Sequence, residues 1–269
     1  MYRLAPFNWL FLILSSLVLM FILAPLAGLF IHTSAGQLFE AVRDREIHQS
    51  IWLTLWVSFT GTFLFAACAV PLAWILARKK FTLKNLIQGI IDLPVVLPHT
   101  AAGIALLGFI SRDGLLGKAA SFVGLNFINH PSGIALAMAF VSLPYLINSA
   151  RDGFAAVPER LEKAALNLGA SQSRVFFTIS LPLAWRSVVS GFVMMFARGM
   201  SEFGAVVIIA YHPMIAPVLI YERFGSYGLE YARPASVIFI IVALIVFIAL
   251  RLISIKRKEK PISPDAEAY

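Results

Sequence analysis

Arg198, Ser201 and Glu202 stand at i, i+3 and i+4 within the otherwise apolar run FARGMSEFGA, residues 196–205. That spacing puts all three on one face of a helix. An ionised side chain at membrane depth is costly, so such residues pair with one another or turn towards a bundle interior or an aqueous path. Two readings stay open: the pair pins its helix against a neighbour, or it lines a passage for a charged solute. His99 divides in the same way. It follows Pro98 in DLPVVLPHT, residues 92–100, and either caps carbonyls that the prolines free or faces the passage. Pro94, Pro98 and Thr100 belong to the same candidate gate. No nucleophile–base pair stands out, and no Cys, His or carboxylate cluster has metal-ligand spacing. Gly117-Lys118-Ala119 holds the only Gly-Lys and lacks the rest of a phosphate-binding loop. The chain is therefore expected to carry no catalytic residue, metal or cofactor. If it drives uphill transport, a separate subunit must hydrolyse the ATP.

The elements that hold these residues are membrane spans. Of 269 residues, 59% are hydrophobic and 13% charged, with mean hydropathy +0.83. Soluble domains are about a quarter charged. At about 20 apolar residues per helix, the length fits about six spans with short loops and no sizeable soluble domain. The apolar runs cover 9–31, 51–77, 86–110, 133–148, 187–211 and 235–255. The first is too long for a signal-peptide core and reads as a retained span. The third contains two prolines four residues apart, and each removes an N–H and clashes with the preceding turn, so this span is expected to be kinked or locally unwound. Gly191, Gly199 and Gly204 in the fifth would let helices approach closely. Cys68 reads as a small packing residue. Residues 1–255 are expected to form one transmembrane domain, and 256–269 a charged, disordered cytoplasmic tail.

The net charge of +8 would suggest a nucleic-acid partner in a soluble protein; here it sets topology. One set of loops and both termini hold fifteen Lys and Arg and the opposite loops six, with Arg198 inside a span. The richer side is cytoplasmic by the positive-inside rule, so a multi-pass cell-membrane protein with both termini inside is expected. Arg223 and Glu222, in the last external loop, read as solvated surface.

The longest polar interval, 151–185, is not a slack loop. Leu161, Ala164, Ala165 and Leu168 fall at helical spacing, and Gly169 follows where a helix would stop. Ser171 or Ser173 then caps a second helix carrying Val175, Phe176, Phe177 and Ile179, which Pro182 is expected to end. Two short helices with an apolar face left over suit the docking of a soluble, cytosolic partner.

Lys163-Ala164-Ala165, Gly169 and Ile179-x-Leu181-Pro182 resemble the EAA loop of ABC importer permeases. Lys163 takes the place of the family's Glu, with Glu162 just before it. DLPVVLPHT, RVFFTISLP and ARGMSEFGAVVIIAY further resemble the oxyanion branch, and 211–223 the molybdate/tungstate permeases. The resemblance implies an all-α, six-span type I importer permease with a cytoplasmic coupling loop. It implies Glu162, Lys163, Ala164, Ala165, Leu168, Gly169, Ile179, Leu181 and Pro182 as the coupling residues. It implies a homodimer in the lipid bilayer, two ABC ATPase subunits holding ATP and Mg, and an external oxyanion-binding protein. A sulfate/thiosulfate permease is the alternative within the branch. A secondary transporter using His99, Arg198 and Glu202 without an ATPase would leave the amphipathic loop unexplained, and a membrane enzyme has no reacting pair to support it.

Overall fold

The computed structural model describes residues 6–122 and 124–255. The expected tail, 256–269, lies outside the described residues, among which there is no strand. In chain order the helices are α1 (Pro6–Ile31), α2 (Ala35–Arg43), α3 (Arg45–Arg78), α4 (Lys84–Val96), α5 (His99–Ile110), α6 (Leu115–Ser121), α7 (Pro131–Ala156), α8 (Glu159–Asn167) and α9 (Gln172–Val175). A π turn (Phe176–Ser180) then leads into α10 (Leu181–Met200), followed by α11 (Gly204–Ile209), α12 (Ala216–Tyr227) and α13 (Leu229–Ile255). Five helical stretches are each long and apolar enough to cross a membrane, and the pair α4–α5 supplies a sixth span if counted as one.

The core forms around α7, which packs along both α3 and α10. At the α7–α10 crossing a Cβ on Gly191 would meet that of Ser149 at 2.8 Å, whereas one on Gly199 would make an ordinary contact at 3.5 Å. Ser149 Oγ donates to the Ser187 carbonyl across the same contact, at 2.7 Å. By contrast α1 is exposed along its described side chains except at Gly28 and Leu29, as suits a helix whose solvent is lipid. Cys68 lies on the exposed face of α3, so it is not a core residue.

The third span is more than kinked. Leu97 and Pro98 separate α4 from α5, and the two axes differ by 114°. Pro94 is accommodated inside α4; the break falls at Pro98, which restricts Leu97 to extended backbone, ψ 141°. The fifth span also differs from the expected 187–211. It stops at Met200, and Ser201–Phe203 separate it from α11.

Pro182 does not end a helix. Helical turns run unbroken from Gln172 to Met200. Through the π turn the Leu181 N–H bonds the Phe176 carbonyl, five residues back. The wider turn makes room for a proline ring that would clash in a regular helix.

The segments expected to be external are largely helical too. Ser34 and Gln37 form a reciprocal capping box for α2, and Asp44 Oδ1 accepts the Glu46 N–H at 2.8 Å to start α3. Arg223, expected on a solvated surface, instead pins α12 to this corner, with Nη2 at 2.6 Å from Asp44 and 3.2 Å from Glu46. Burial raises the Asp44 pKa, but the Arg223 bond and charge with the backbone N–H donors outweigh it, leaving a net lowering.

Candidate functional site

Two groups of residues stand out, joined by the continuous helix from Gln172 to Met200.

The first is the 158–182 segment. Gly169, at φ +86°, makes the turn after α8; a side chain there would strain the left-handed backbone. Ser171 caps the next helix, accepting the Arg174 N–H at 3.3 Å. Leu161, Leu166, Leu168 and Phe177 are exposed, Leu168 to 89%. Ala164 is exposed and Ala165 half-buried. Ile179 and Leu181 are half-buried and Pro182 is exposed. Lys163 lies on the surface and pairs with Glu159 at 2.8 Å.

Glu162 turns the other way. Its Oε2 accepts from Arg78 Nε, and its Oε1 from Arg78 Nη2 and from Ser180 Oγ, at 2.8, 2.8 and 2.7 Å. Arg78 Nη2 also reaches the Val157 carbonyl at 2.9 Å. Burial raises the Glu162 pKa, yet the Arg78 and Ser180 bonds with the Arg78 charge bring it below the ordinary value. This clamp ties α8 to the end of α3 and to the π turn below α10. From the sequence Arg78 reads only as one of the topology-setting cations. Glu162, just before Lys163, is the available signal, but its partner is 84 residues away.

The second group lies where both broken spans meet. His99 opens α5, and Glu202 sits in the gap between α10 and α11. His99 Nδ1 is 2.8 Å from Glu202 Oε2, and Arg198 Nη2 is 2.9 Å from the same oxygen. With the His99 Nδ1–H donated to Glu202, Nε2 accepts from Arg198 Nη2 at 2.9 Å. Glu202 Oε1 accepts the Ala205 N–H at 2.9 Å and so caps α11. Glu202 is 1% exposed, whereas the side chains of Arg198 and His99 are 23% and 38% exposed. His99 therefore binds a carboxylate rather than freed carbonyls. Ser201 is exposed beside Arg198, with Oγ 3.5 Å from Nη1. Thr100 and Pro98 are exposed and Pro94 is buried. Gly204 permits the contact, because a Cβ there would come within 2.7 Å of the His99 Cβ.

The remaining α10 surface is unlike the exposed face of α13. Between Arg186 and Ser201 its exposed positions are Arg186, Ser190, Met194 and Ser201, all on one side. On α13 the corresponding exposed residues are Ile241, Leu244, Ile245, Ile248 and Leu252. A face carrying serines and arginine suits water better than lipid.

A membrane bundle with two interrupted spans meeting at a polar cluster, and a helical hairpin extending from one of them, defines a transporter subunit. The same fold occurs in a bacterial ABC transporter involved in the import of the acidic polysaccharide alginate, with TM-score 0.72, 16% identity and coverage of 94% of this chain and 97% of that one. Residues 69–260 match the family described as binding-protein-dependent transport system inner membrane component, and the chain belongs to that family. It is a permease subunit of an ABC transporter, a multi-pass membrane protein with the type I importer permease fold. Its relatives include the molybdate/tungstate transport system permease protein WtpB of Pyrococcus abyssi, 40% identical over 252 residues, covering 93% of this chain and 96% of the relative. The protein of the same name from Pyrococcus furiosus is 44% identical over 208 residues, covering 77% and 78%.

Proposed function

We propose that this chain is the membrane-spanning subunit of an ATP-driven importer of molybdate and tungstate. The observation that carries the substrate class is the 40% identity to a relative bearing that name along nearly the whole chain. In this reading two copies form a homodimer and enclose the polar α10 faces as the passage. One ATPase subunit, carrying ATP and Mg, lies under each copy, and an oxyanion-binding protein delivers substrate to the outer face. Both termini and the α8–α9 hairpin are cytoplasmic, consistent with the distribution of Lys and Arg. The exposed Leu161, Leu166, Leu168 and Phe177 support docking of the ATPase on that hairpin. Motion of the hairpin then passes along the unbroken helix from Gln172 to Met200 and reaches Glu202 and His99.

The test is uptake into vesicles holding this chain with its ATPase and binding protein. Labelled molybdate and tungstate should accumulate only with internal ATP and with the binding protein outside. A large excess of sulfate should compete weakly. Preferential uptake of sulfate would assign the sulfate alternative, and uptake without ATPase or ATP would assign a secondary transporter.

A further inference from the structure

The hydrogen bonds around Glu202 are arranged so that one can be given up. Oε1 has the Ala205 N–H, and Oε2 has His99 as well as Arg198. If Arg198 leaves, each carboxylate oxygen still keeps a donor, so the buried acid is not orphaned. Arg198 is more exposed than Glu202 itself and stands on the polar α10 face with Ser190, Met194 and Ser201. Among the described residues its Nη1 has only the long contact to Ser201 Oγ. A planar guanidinium with donors on a second edge, beside a hydroxyl, suits the oxygens of a tetrahedral anion.

We propose that Arg198, with the Ser201 hydroxyl, is a transient site for the oxyanion inside the membrane, and that Glu202 is the internal anion holding Arg198 while the site is empty. The inference rests on the importer reading. A dianion moving between membrane helices needs a counter-charge, and a lone buried arginine would either be too costly to keep or hold the dianion too firmly. Exchanging one anionic partner for another largely offsets the gain, so the site stays weak enough to release its occupant. His99 and the Ala205 N–H hold Glu202 in place during the exchange, and Arg198 returns when the oxyanion leaves. Selective capture needs several convergent donors, which this pair does not supply, so it falls to the binding protein.

The experiment is substrate protection of a thiol one turn from Arg198. Met194→Cys is made in a Cys68→Ala background, in the complex with its ATPase, and the rate of labelling by a water-soluble thiol reagent is measured. Millimolar tungstate or molybdate should slow labelling by about tenfold at near-full occupancy, and chloride at equal ionic strength should not. Arg198→Gln should abolish this protection while labelling without oxyanion continues. Three results overturn the proposal: a rate indifferent to tungstate in complexes that still transport it, protection that survives Arg198→Gln, or no labelling of Met194→Cys, which would mean that the face is not aqueous. Absence of tungstate uptake by the unmutated complex is a separate result and would overturn the importer reading first.

Discussion

Arg78 and Glu162 meet through two parallel hydrogen bonds of 2.8 Å, although 84 residues separate them. Both side chains are largely shielded, at 8% and 10% exposure. Removing one member of such a pair leaves the other uncompensated, at a typical cost of about 3–5 kcal/mol. Arg78→Ala should therefore loosen α8 from α3 and lower recovery of the ATPase with the purified permease. Arg78→Ala with Glu162→Ala should restore part of the loss. A double variant as impaired as the single one would show that the two residues act independently.

The same clamp gives a pH expectation. The Glu162 pKa is lowered in the folded chain, so its contribution is fully present above the unfolded value, about 4.3, and is lost as pH falls through the lower folded value. Hydrogen exchange of the α8 amides, corrected for intrinsic rate, should stay flat from neutral pH to about 4.5 and rise only below it. In Glu162→Gln that acid-triggered rise should disappear, because exchange is already raised at neutral pH. A wild-type rise beginning near pH 6 would assign the opening to another group.

If the ATPase docks on the hairpin, its apolar residues should matter more than the charge. Lys163 makes an exposed i,i+4 pair with Glu159, and solvent screening leaves such a surface pair little weight in stability. Lys163→Ala should leave co-purification of the ATPase near wild type. Leu168→Asp should reduce it strongly, since it puts a charge in the most exposed apolar position of the hairpin. Gly169→Val should do so as well, since a β-branched residue at φ +86° strains the turn. Loss of assembly in Lys163→Ala alone would replace apolar docking with a specific ion pair.

These contrasts mark how far the sequence could be read. Spans and the turn at Gly169 are local signals: long apolar runs, helical spacing, and a glycine where left-handed backbone is needed. Ser34-x-x-Gln37 and Asp44 were equally local, but a polar segment between spans reads as a loop unless its caps are examined. Pro182 misled because a proline usually ends a helix, and only tertiary packing shows that a π turn absorbs it. Spacing revealed the pair Arg198 and Glu202. It could not add His99, which is 103 residues from Glu202 and joins it only because two spans break at the same place.

If Arg198 touches the oxyanion, charge balance alone cannot replace it. Arg198→Ala should lower tungstate uptake by at least about tenfold, that is about 1.4 kcal/mol, with the complex assembled. Arg198→Ala combined with Glu202→Ala should be just as poor. Recovery in the double variant would mean that neutralising Glu202 is the arginine's whole task.

Gly204 and Gly199 separate a packing requirement of the broken spans from general helix packing. A Cβ on Gly204 would lie 2.7 Å from the His99 Cβ and 3.3 Å from both the His99 carbonyl carbon and the Thr100 nitrogen. The last two are backbone, so a rotamer change cannot relieve the contact; the start of α5 must shift. Overpacking of this kind usually costs about 1–3 kcal/mol, and the shift acts directly on the His99–Glu202 bond of 2.8 Å. A Cβ on Gly199, five residues earlier and on α10, meets nothing closer than 3.5 Å. Gly204→Ala should therefore impair uptake while the ATPase still co-purifies, because the hairpin at the far end of α10 is untouched. Gly199→Ala should retain both assembly and most of the transport. Equal uptake by the two variants, at matched assembly, would show that the contact between α5 and α11 tolerates displacement and that the His99–Glu202 bond does not govern passage.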